Sequence, residues 1–396
     1  MSWEYKTLDQ LGEVSRGRSK HRPRNDPSLF GGKYPFIQTA DVKAANFYIT
    51  EYDTTYNEKG LAQSRLWNPG TLCITIAANI ADTGILAMDA CFPDSVMGFL
   101  PYEGIADVRF VKYCFDILQQ NCKKISQGAA QDNLSWEKLS TILFPAPPIE
   151  VQNQIADILS TYDNLIENNK KQIKLLEEAA QRLYKEWFVD LRFPGHENVK
   201  IVDGVPEGWK RSTLGEIASI LRRGISPKYD DGGMYLVISQ KCIRRSIMDT
   251  DEARRESKEY APELNLQDAD TVICSTGTGT LGRVGQVCGT YPDTTFDSHV
   301  TLVRTENYQN FFYQAVKSQQ EFLMGMGRGS TNQQELYRDV IENLQILVPT
   351  QEILNKAEKM LSSIHHKVTA LNSQILLLIE VRDRLLPKLM SGELEV

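Results

Sequence analysis

The sequence predicts an α+β protein in which two similar mixed α/β domains are each followed by one long helix. Two long stretches, 151–188 and 352–390, carry apolar residues at steps of three and four, the spacing of one helix face. The regions that precede them resemble each other in several blocks, which occur in the same order and at nearly the same offset. Together these observations indicate a duplicated chain.

The first long helix is predicted at 149–190. No Pro or Gly interrupts the stretch 151–188, which would be about 57 Å long at about 1.5 Å per residue. That is too long for an ordinary globular helix, so the apolar stripe requires a partner helix. Asn169 is a polar break in the stripe, a device that can fix the register of a coiled coil. The stripe includes Ile158, and the residues expected in the seam beside Asn169 are Ile155, Tyr162, Leu165, Leu176 and Leu183.

The second long helix is predicted at 351–392 and supplies the partner. It superposes on the first helix without gaps, so that Leu159 falls on Leu361. Pro387 has no counterpart in the first copy and is expected to end or kink the second helix early. Two helices of an ordinary bundle are the alternative, but the matched spacing of the copies argues against it. The stripe includes Val381, and its expected seam residues are Leu361, Val368, Leu371, Leu378 and Leu385.

The mixed α/β domains are predicted at 1–148 and 209–350, with a Pro- and Gly-rich linker at 191–208. The block GGKYPFIQTADV (31–42) corresponds to GGMYLVISQKCI (232–243). Strands are expected in PFIQTADV, YLVISQ, TLCITIA and DTVICST, because they combine β-branched residues with strand-like length. The Gly-Gly pairs that precede the first two are interpreted as turns. Short helices are expected at 110–122 and 310–324.

Composition limits the possible functions of this chain of 396 residues. Its seven Cys occur without a CxxC pair and its five His complete no zinc pattern, so we expect reduced thiols, no disulfide and no metal. No apolar run reaches the length of a membrane span, and the opening stretch MSWEYKTLDQ has no signal-peptide h-region, so we expect a cytoplasmic location. The net charge of −7 excludes DNA binding by overall charge. Either the chain binds no nucleic acid, or its basic residues are gathered locally and partners supply the rest.

Two basic segments occupy matching places in the repeat. The first, RGRSKHRPR at 16–24, contains Arg16, Arg18, Lys20, Arg22 and Arg24; the second contains Arg222, Arg223 and Lys228. Such residues can contact phosphates and read guanine, or they can form a solvated charged loop. Their repetition at one position favours DNA. Three further cations lie at the end of the GGMYLVISQKCI block or directly after it, and they either continue the second basic face or are unrelated surface charges: Lys241, Arg244 and Arg245.

Other motifs give weaker evidence about function. GTGTLG at 277–282 matches a dinucleotide-binding pattern, but the first copy lacks the glycines and no βαβ unit with a following acid is evident. The amides of GAAQDNLS and GSTNQQEL can read adenine or cap the next helix, and a structural role is favoured. The chain shows no NPPY-type stretch, no GxxxxGK[ST] loop and no nuclease-like acidic motif. The residues of GAAQDNLS and GSTNQQEL that could read adenine or cap a helix are Gln131, Asn133, Thr331, Asn332, Gln333 and Gln334.

The chain resembles the specificity subunit of type I restriction-modification enzymes. The resemblance rests on WEYKTLDQLGEV, PFIQTADV, GAAQDNLS, KEWFVDLRFPGHE and VPEGWKRSTLGEI, and it covers essentially the whole chain. It implies two target recognition domains that each read half of a bipartite DNA site. It also implies an antiparallel helix pair as spacer, which at about 57 Å reaches across roughly one and a half turns of DNA.

The resemblance also implies partners and further DNA contacts. Two methyltransferase subunits would assemble on this frame, with two motor-nuclease subunits in the restricting form. S-adenosylmethionine, and ATP with Mg²⁺ for restriction, would be bound by those partners and not by this chain, which would have no catalytic centre. Asn79, Thr278 and Gly279 become DNA candidates on this basis. The alternatives are a coiled-coil scaffold without DNA affinity and a self-contained enzyme that uses the Gly-rich loop for a nucleotide or S-adenosylmethionine.

Overall fold

A computed structural model of the chain describes residues 3–76, 82–125, 136–244, 248, 250, 252–277, 279–327 and 334–396. The chain divides into two compact units. The first comprises Met1–Asn168 with Ile375–Val396, and the second comprises Asn169–Gln374. The division therefore passes through both long helices, and each unit contains part of each.

The first unit combines short helices with a sheet of strand order β2-β8-β6-β7-β4. Neighbours in this sheet are antiparallel except for β4 and β7, which are parallel. The described strands are β1 (Glu4–Lys6), β2 (Gly12–Arg16), β3 (Phe30–Pro35), β4 (Tyr48–Ile49), β5 (Thr55–Tyr56), β6 (Leu72–Thr75), β7 (Thr83–Leu86), β8 (Val96–Pro101) and β9 (Phe144–Ala146). The helices are α1 (Leu8–Leu11), α2 (Thr39–Ala44), α3 (Glu58–Ala62), α4 (Val108–Ile125), α5 (Trp136–Leu139) and α6 (Ile149–Tyr184), which continues into the second unit.

The second unit has a sheet of strand order β13-β19-β16-β17 and a smaller one of order β15-β14-β18. Its described strands are β10 (Ile201–Val202), β11 (Val205–Pro206), β12 (Lys210–Thr213), β13 (Ile220–Arg223), β14 (Tyr235–Ile238), β15 (Arg254–Glu256), β16 (Thr271–Cys274), β17 (Val284–Gln286), β18 (Thr294–Phe296), β19 (Val300–Arg304) and β20 (Gln345–Val348). The helices are α7 (Leu214–Ile217), α8 (Gln309–Lys317), α9 (Gln320–Gly325), α10 (Arg338–Glu342) and α11 (Gln351–Met390), whose end belongs to the first unit.

The duplication read from the sequence is confirmed in the topology. The order β2-β8-β6-β7 recurs as β13-β19-β16-β17, with the same antiparallel pairings. The pair β1·β9 recurs as β12·β20, in which the first strand of a domain meets the strand before its long helix. A capping box starts the first short helix of each copy, with Thr7 and Gln10 in one and Thr213 and Glu216 in the other.

Each long helix is buried against the domain that precedes it. In the first unit, Phe99 of β8 and Phe110 of α4 share a hydrophobic cluster with Ile155 and Leu159 of α6. In the second unit, Phe311 of α8 belongs to the cluster that includes Leu361 of α11. Full burial of one such side chain contributes about 1.5–3 kcal/mol. The helices are therefore part of the domain cores and not free rods.

Both long helices are confirmed, and they pair antiparallel. Helix α6 is followed by a π-helical turn, Lys185–Val189, so that the helical stretch ends one residue short of the predicted boundary. In the first unit Arg382 Nη1 donates to Asp163 Oδ1 at 2.5 Å. In the second unit Asn169 Nδ2 donates to Gln374 Oε1 at 3.3 Å. A later residue of α6 thus meets an earlier residue of α11. Asn169 is buried and meets the partner helix, as a register-fixing residue should.

The seam prediction was wrong at Leu165, whose side chain is 45% exposed. Asp163 and Ile166 are buried in its place, because Asp163 finds a cation on the other helix and an acid can therefore occupy a seam position. Ile158 and Val381 of the stripe are exposed as well. Of the other predicted seam residues, Ile155, Leu361, Val368 and Leu371 are buried, whereas Tyr162, Leu176, Leu183, Leu378 and Leu385 are half-buried.

The strand prediction for PFIQTADV was also wrong in part. Strand β3 ends at Pro35, and residues 39–44 form α2. Helix formation is favoured there because the Asp41 carboxylate accepts the backbone N–H of Gln38 at 2.7 Å and so caps the first turn. Gly31 and Gly32 lie within β3 at a register shift and are not a preceding turn. YLVISQ, by contrast, forms β14 after a turn at 231–232, as predicted.

Pro387 does not end the second helix early. Helix α11 continues to Met390, and the N–H of Ser391 still donates to the carbonyl oxygen of Pro387 at 3.0 Å. Burial of Leu389 and Met390 in the core of the first unit holds this last turn in place. The linker at 191–208 is more ordered than its composition indicates, since it contains the strand pair β10·β11 and a buried Phe193. The helix expected at 310–324 is divided into α8 and α9.

Candidate nucleic-acid interface

The first basic segment leaves the end of β2 at a point where only glycine fits. The N–H of Gly17 donates to the carbonyl oxygen of Val96 at 2.8 Å, and that of Arg18 donates to Phe92 at 2.9 Å. A β-carbon on Gly17 would overlap the carbonyl oxygens of Phe92 and Pro93. The backbone at Gly17 therefore lies in close contact with residues 92–96, and this contact fixes where the segment begins.

The cations of this segment fall into two groups. Arg16, Arg18 and Lys20 are exposed, and within the described ranges their charged groups have no acceptor in the protein. Arg22 Nη1 instead donates to the carbonyl oxygens of Ser19 and His21, at 2.7 and 2.8 Å, and Arg24 pairs with Asp94 at 2.7 Å. Three cations are thus available to a ligand, and two shape the loop.

Three consecutive side chains hold the first basic segment, and the sequence analysis missed them. Gln63 Oε1 accepts the N–H of His21 at 2.9 Å, and Ser64 Oγ donates to the carbonyl oxygen of Arg18 at 2.7 Å. Arg65 Nη1 donates to Ser15 Oγ at 2.9 Å, and its guanidinium lies 3.7 Å from the Trp67 ring centre. The only available signal was the spacing of Arg65 and Trp67, which places both on one side of an extended strand.

A local hydrogen-bonded pair, Asp26 with His21, orders the far end of the same loop. The Asp26 carboxylate accepts the N–H of Ser28 at 2.9 Å and meets His21 Nε2 at 2.7 Å. These contacts, the Ser28 backbone bond above all, lower the pKa of Asp26 to about 2. The carboxylate is therefore charged at neutral pH and anchors the loop.

The second basic segment lies at the equivalent point of the second domain, where Arg222 and Arg223 end β13 and Lys228 follows. Gly224 and Ile225 donate to the carbonyl oxygens of Val300 and Phe296, at 3.1 and 2.9 Å, and a β-carbon on Gly224 would overlap Phe296. Both long-range contacts match those of Gly17 and Arg18. The prediction that the two basic segments share one place in the repeat is therefore confirmed.

The cations of the second segment are more often paired. Arg222 Nη1 lies 3.2 Å from Glu263, and Arg223 pairs with Glu335 and donates to the carbonyl oxygen of Leu336 at 2.7 Å. Lys228 is exposed, and its charged group has no protein acceptor in the described part of the chain. Beside it lies Arg254, also missed by the sequence analysis, whose guanidinium is 3.8 Å from the Tyr229 ring centre.

The remaining candidate DNA-contact residues differ in their exposure and in whether they are paired. Lys241 is exposed, whereas Arg244 Nη2 pairs with Glu252 at 2.7 Å. Gly279 is exposed with a φ of +78°, and its carbonyl oxygen accepts Arg283 Nη2 at 3.0 Å. Of the amides, Gln334 is exposed. Asn79, Arg245, Thr278, Gln131, Asn133, Thr331, Asn332 and Gln333 lie outside the described residues.

The GTGTLG loop does not have the context of a dinucleotide site. It joins β16 to β17, which are antiparallel neighbours, and no helix begins in its described residues. A phosphate-binding loop of that kind requires a strand followed directly by a helix. The loop is therefore a hairpin connection at the end of a sheet.

The described residues give little support for a reactive thiol, a metal site or a membrane span. Six described cysteines are free and buried, and burial raises the pKa of Cys73 and Cys114. Among the residues that the structure describes, no group of His, Cys, Asp or Glu is arranged to hold a metal ion. No helix in the described ranges combines the length and apolarity that crossing a bilayer demands.

The protein is thus a duplicated α+β protein: two domains of similar topology, each with a basic segment at the same place, are each followed by one long helix. A family model described as the type I restriction modification DNA specificity domain matches residues 1–178 and 206–381. The chain belongs to this family and contains two copies of its domain. The motifs in the sequence and the repeated topology thus agree with the family match.

Similar proteins span the full length of the chain. It is 26% identical over 412 residues to the type I restriction enzyme MjaIX specificity subunit of Methanocaldococcus jannaschii, covering 100% of this chain and 94% of that protein. It is 23% identical over 470 residues to the HindI specificity subunit of Haemophilus influenzae, covering 97% and 98%. A crystal structure of a type I S subunit from M. genitalium has the same fold, with a TM-score of 0.56, 17% identity and coverage of 98% and 96%.

Proposed function

We propose that this chain is the DNA-recognition subunit of a type I restriction-modification complex. The domain at 1–148 reads one half of a bipartite site, the domain at 209–350 reads the other, and the helices at 149–190 and 351–392 set the gap between them. The observation that supports this most is that basic residues lie at the same end of the equivalent edge strand in both domains, next to Gly17 in the first and Gly224 in the second.

Local charge carries the binding in this proposal, because the net charge of the chain is −7. Arg16, Arg18, Lys20 and Lys228 provide exposed cations without a protein acceptor in the described ranges. Each cation that neutralises a phosphate releases counterions, so affinity falls as salt rises. Because the chain as a whole is negatively charged, it binds weakly alone, and partner subunits strengthen the complex.

Catalysis belongs to partners in this proposal. Two DNA adenine methyltransferase subunits bind S-adenosylmethionine and modify one adenine in each half-site, which must be flipped out of the duplex to be reached. Two motor-nuclease subunits with ATP and Mg²⁺ join in a restricting complex. The chain itself is non-catalytic, binds no cofactor and acts in the cytoplasm. The MjaIX and HindI relatives are named as specificity subunits of type I restriction enzymes, which supports this division of labour.

The long helices offer a surface for such a partner. In the first unit several apolar side chains of α6 and α11 point to solvent instead of into the seam. A methyltransferase surface would cover them, since exposed apolar side chains favour protein contacts. These residues are Ile158, Leu165, Leu376, Leu377 and Val381.

The experiment is modified-base sequencing of the source genome with and without an intact copy of this chain. Loss of methylated adenine at one split motif would establish the function and give both half-sites and the gap. In a second strain, residues 205–350 of this chain are replaced by the recognition domain of another family member. It should keep the first half-site and change the second. An unchanged methylation pattern, together with no sequence-selective binding by the purified complex, would refute the proposal and leave the scaffold alternative.

A further inference from the structure

Arg254 lies on an aromatic platform at the edge of the second domain. It is the first residue of β15, the outer strand of the sheet β15-β14-β18. Its guanidinium is 3.8 Å from the centre of the Tyr229 ring, which is a cation–π contact. The residue is exposed, and in the described part of the chain no protein acceptor meets its N–H groups. One face of the guanidinium is therefore covered, and its donor edge is open.

The platform itself is held from two sides. The Tyr229 hydroxyl donates to Asp297 Oδ2 at 3.2 Å, and Asp297 is buried. The Tyr229 backbone bridges to Glu256, whose buried carboxylate accepts the N–H groups of Lys228 and Lys258. Burial, and then the charge of Asp297, raises the pKa of Tyr229 to about 12, so the hydroxyl keeps its proton and remains a donor. The ring, and with it the plane of the guanidinium, has a defined orientation.

A fixed guanidinium plane with a free edge suits a base better than a phosphate. Guanine presents O6 and N7 as two acceptors in the major groove, and arginine donates to both in one plane. A phosphate can also accept two donors from an arginine, but the point charge of a lysine binds it as well, so phosphate contact requires neither the plane nor the platform. The neighbouring Lys228 and Lys258 are exposed and can supply phosphate contacts beside such a base. Arg255, the next residue, is different because its Nη1 donates to the carbonyl oxygen of Gly233 at 3.2 Å.

We propose that Arg254 reads a guanine in the half-site recognised by the second domain, with Tyr229 as its positioning residue. The inference rests on the proposed function and assigns one base of its site to one side chain. Arg65 in the first domain lies on Trp67 in a similar way, but it donates to Ser15 and therefore holds the basic segment instead.

The test is a selection from DNA duplexes of randomised sequence, using the full chain copurified with its methyltransferase. Wild-type protein should enrich guanine at one position of the second half-site. Arg254→Lys keeps the charge but loses the planar pair of donors. It should reduce the preference for that guanine by about 5- to 150-fold and leave all other positions unchanged. Tyr229→Leu, which removes the platform and keeps Arg254, should weaken the same preference.

Lys258→Ala is the matched control, because it removes one charge from the same surface. It should lower affinity for all duplexes alike and leave base preference unchanged. The inference is overturned if the second half-site contains no guanine, if Arg254→Lys keeps the full preference, or if preference is lost evenly in both half-sites. If wild-type protein selects no sequence at all, the proposed function fails and this inference fails with it.

Discussion

Replacement of Arg382 by methionine should loosen the first unit where its domain meets both long helices. Asp163 of α6 has a side chain only 1% exposed, and Arg382 of α11 is its cation at 2.5 Å. Tyr113 of α4 donates to the other carboxylate oxygen, also at 2.5 Å. Burial, and then the charge of Asp163, raises the pKa of Tyr113, so the phenol stays protonated. Arg382→Met leaves a buried carboxylate with one neutral donor.

The expected cost is large for a single helix residue. Removing one partner of a buried ion pair costs about 3–5 kcal/mol. Arg382 is 18% exposed and Tyr113 still donates, so the lower end of that range, about 3 kcal/mol, is appropriate. Arg384→Met is the matched control on the same helix. Arg384 and Glu380 are 78% and 52% exposed, and loss of their pair should cost no more than about 0.5 kcal/mol.

Native-state hydrogen exchange measured by mass spectrometry gives the readout. About 3 kcal/mol corresponds to roughly 150-fold faster exchange for amides that open with the unit. The change should appear in α4 and in residues 375–390, while peptides of β16 and β17 in the second unit provide an internal reference. Adding Asp163→Asn to Arg382→Met should restore part of the loss, because the buried carboxylate that lost its cation is then removed. Equal effects of Arg382→Met and Arg384→Met would refute the reasoning.

Three further outcomes concern the first basic segment. Gly17→Ala should cost about 1–3 kcal/mol in thermal denaturation because its β-carbon has no space, whereas Gly325→Ala, which has open space, should be neutral. Ser64→Ala should remove about 0.5–1.5 kcal/mol of support from the backbone at Arg18 and weaken binding to the first half-site only, measured on duplexes altered in one half. Asp26 has a lowered pKa, so its contribution is complete above about pH 4 and is lost as pH falls through about 2. Amide exchange of the loop should show this loss, and Asp26→Asn should abolish the dependence.

The long elements were predictable because their signals extend over many residues. Apolar periodicity located both helices within two residues at each end, once the π-helical turn that follows α6 is included. The repeat predicted a duplicated topology that the sheets confirm. Which residues are buried between the two helices was less predictable near Leu165. Periodicity assigns Leu165 to the interior, yet Asp163 is buried because its cation lies 219 residues away in the sequence. A pattern in one segment contains no information about such a partner.

The basic segments were likewise located correctly, but the state of each cation was not predictable. Whether Arg24 or Arg222 is free depends on Asp94 and Glu263, which are distant in sequence. Arg254 was not predicted either, because the ring on which it lies belongs to Tyr229, in the connection between β13 and β14 and not in β15. Charge clusters therefore indicate a surface, whereas the choice of contact residues depends on tertiary neighbours.

The discontinuous first unit has a consequence for biosynthesis. Its last segment, Ile375–Val396, supplies Leu386, Leu389 and Met390 to the core that holds Ile155 and Leu159. The ribosome must translate all of Asn169–Gln374 before that segment exists, a delay of roughly 10–40 s at about 5–20 residues per second. During this interval the second unit, which is continuous in sequence, can close while the first retains an uncovered apolar face. The domain that is made first is thus the one completed last, and nascent chains are most exposed to chaperones and proteases at the N-terminal domain.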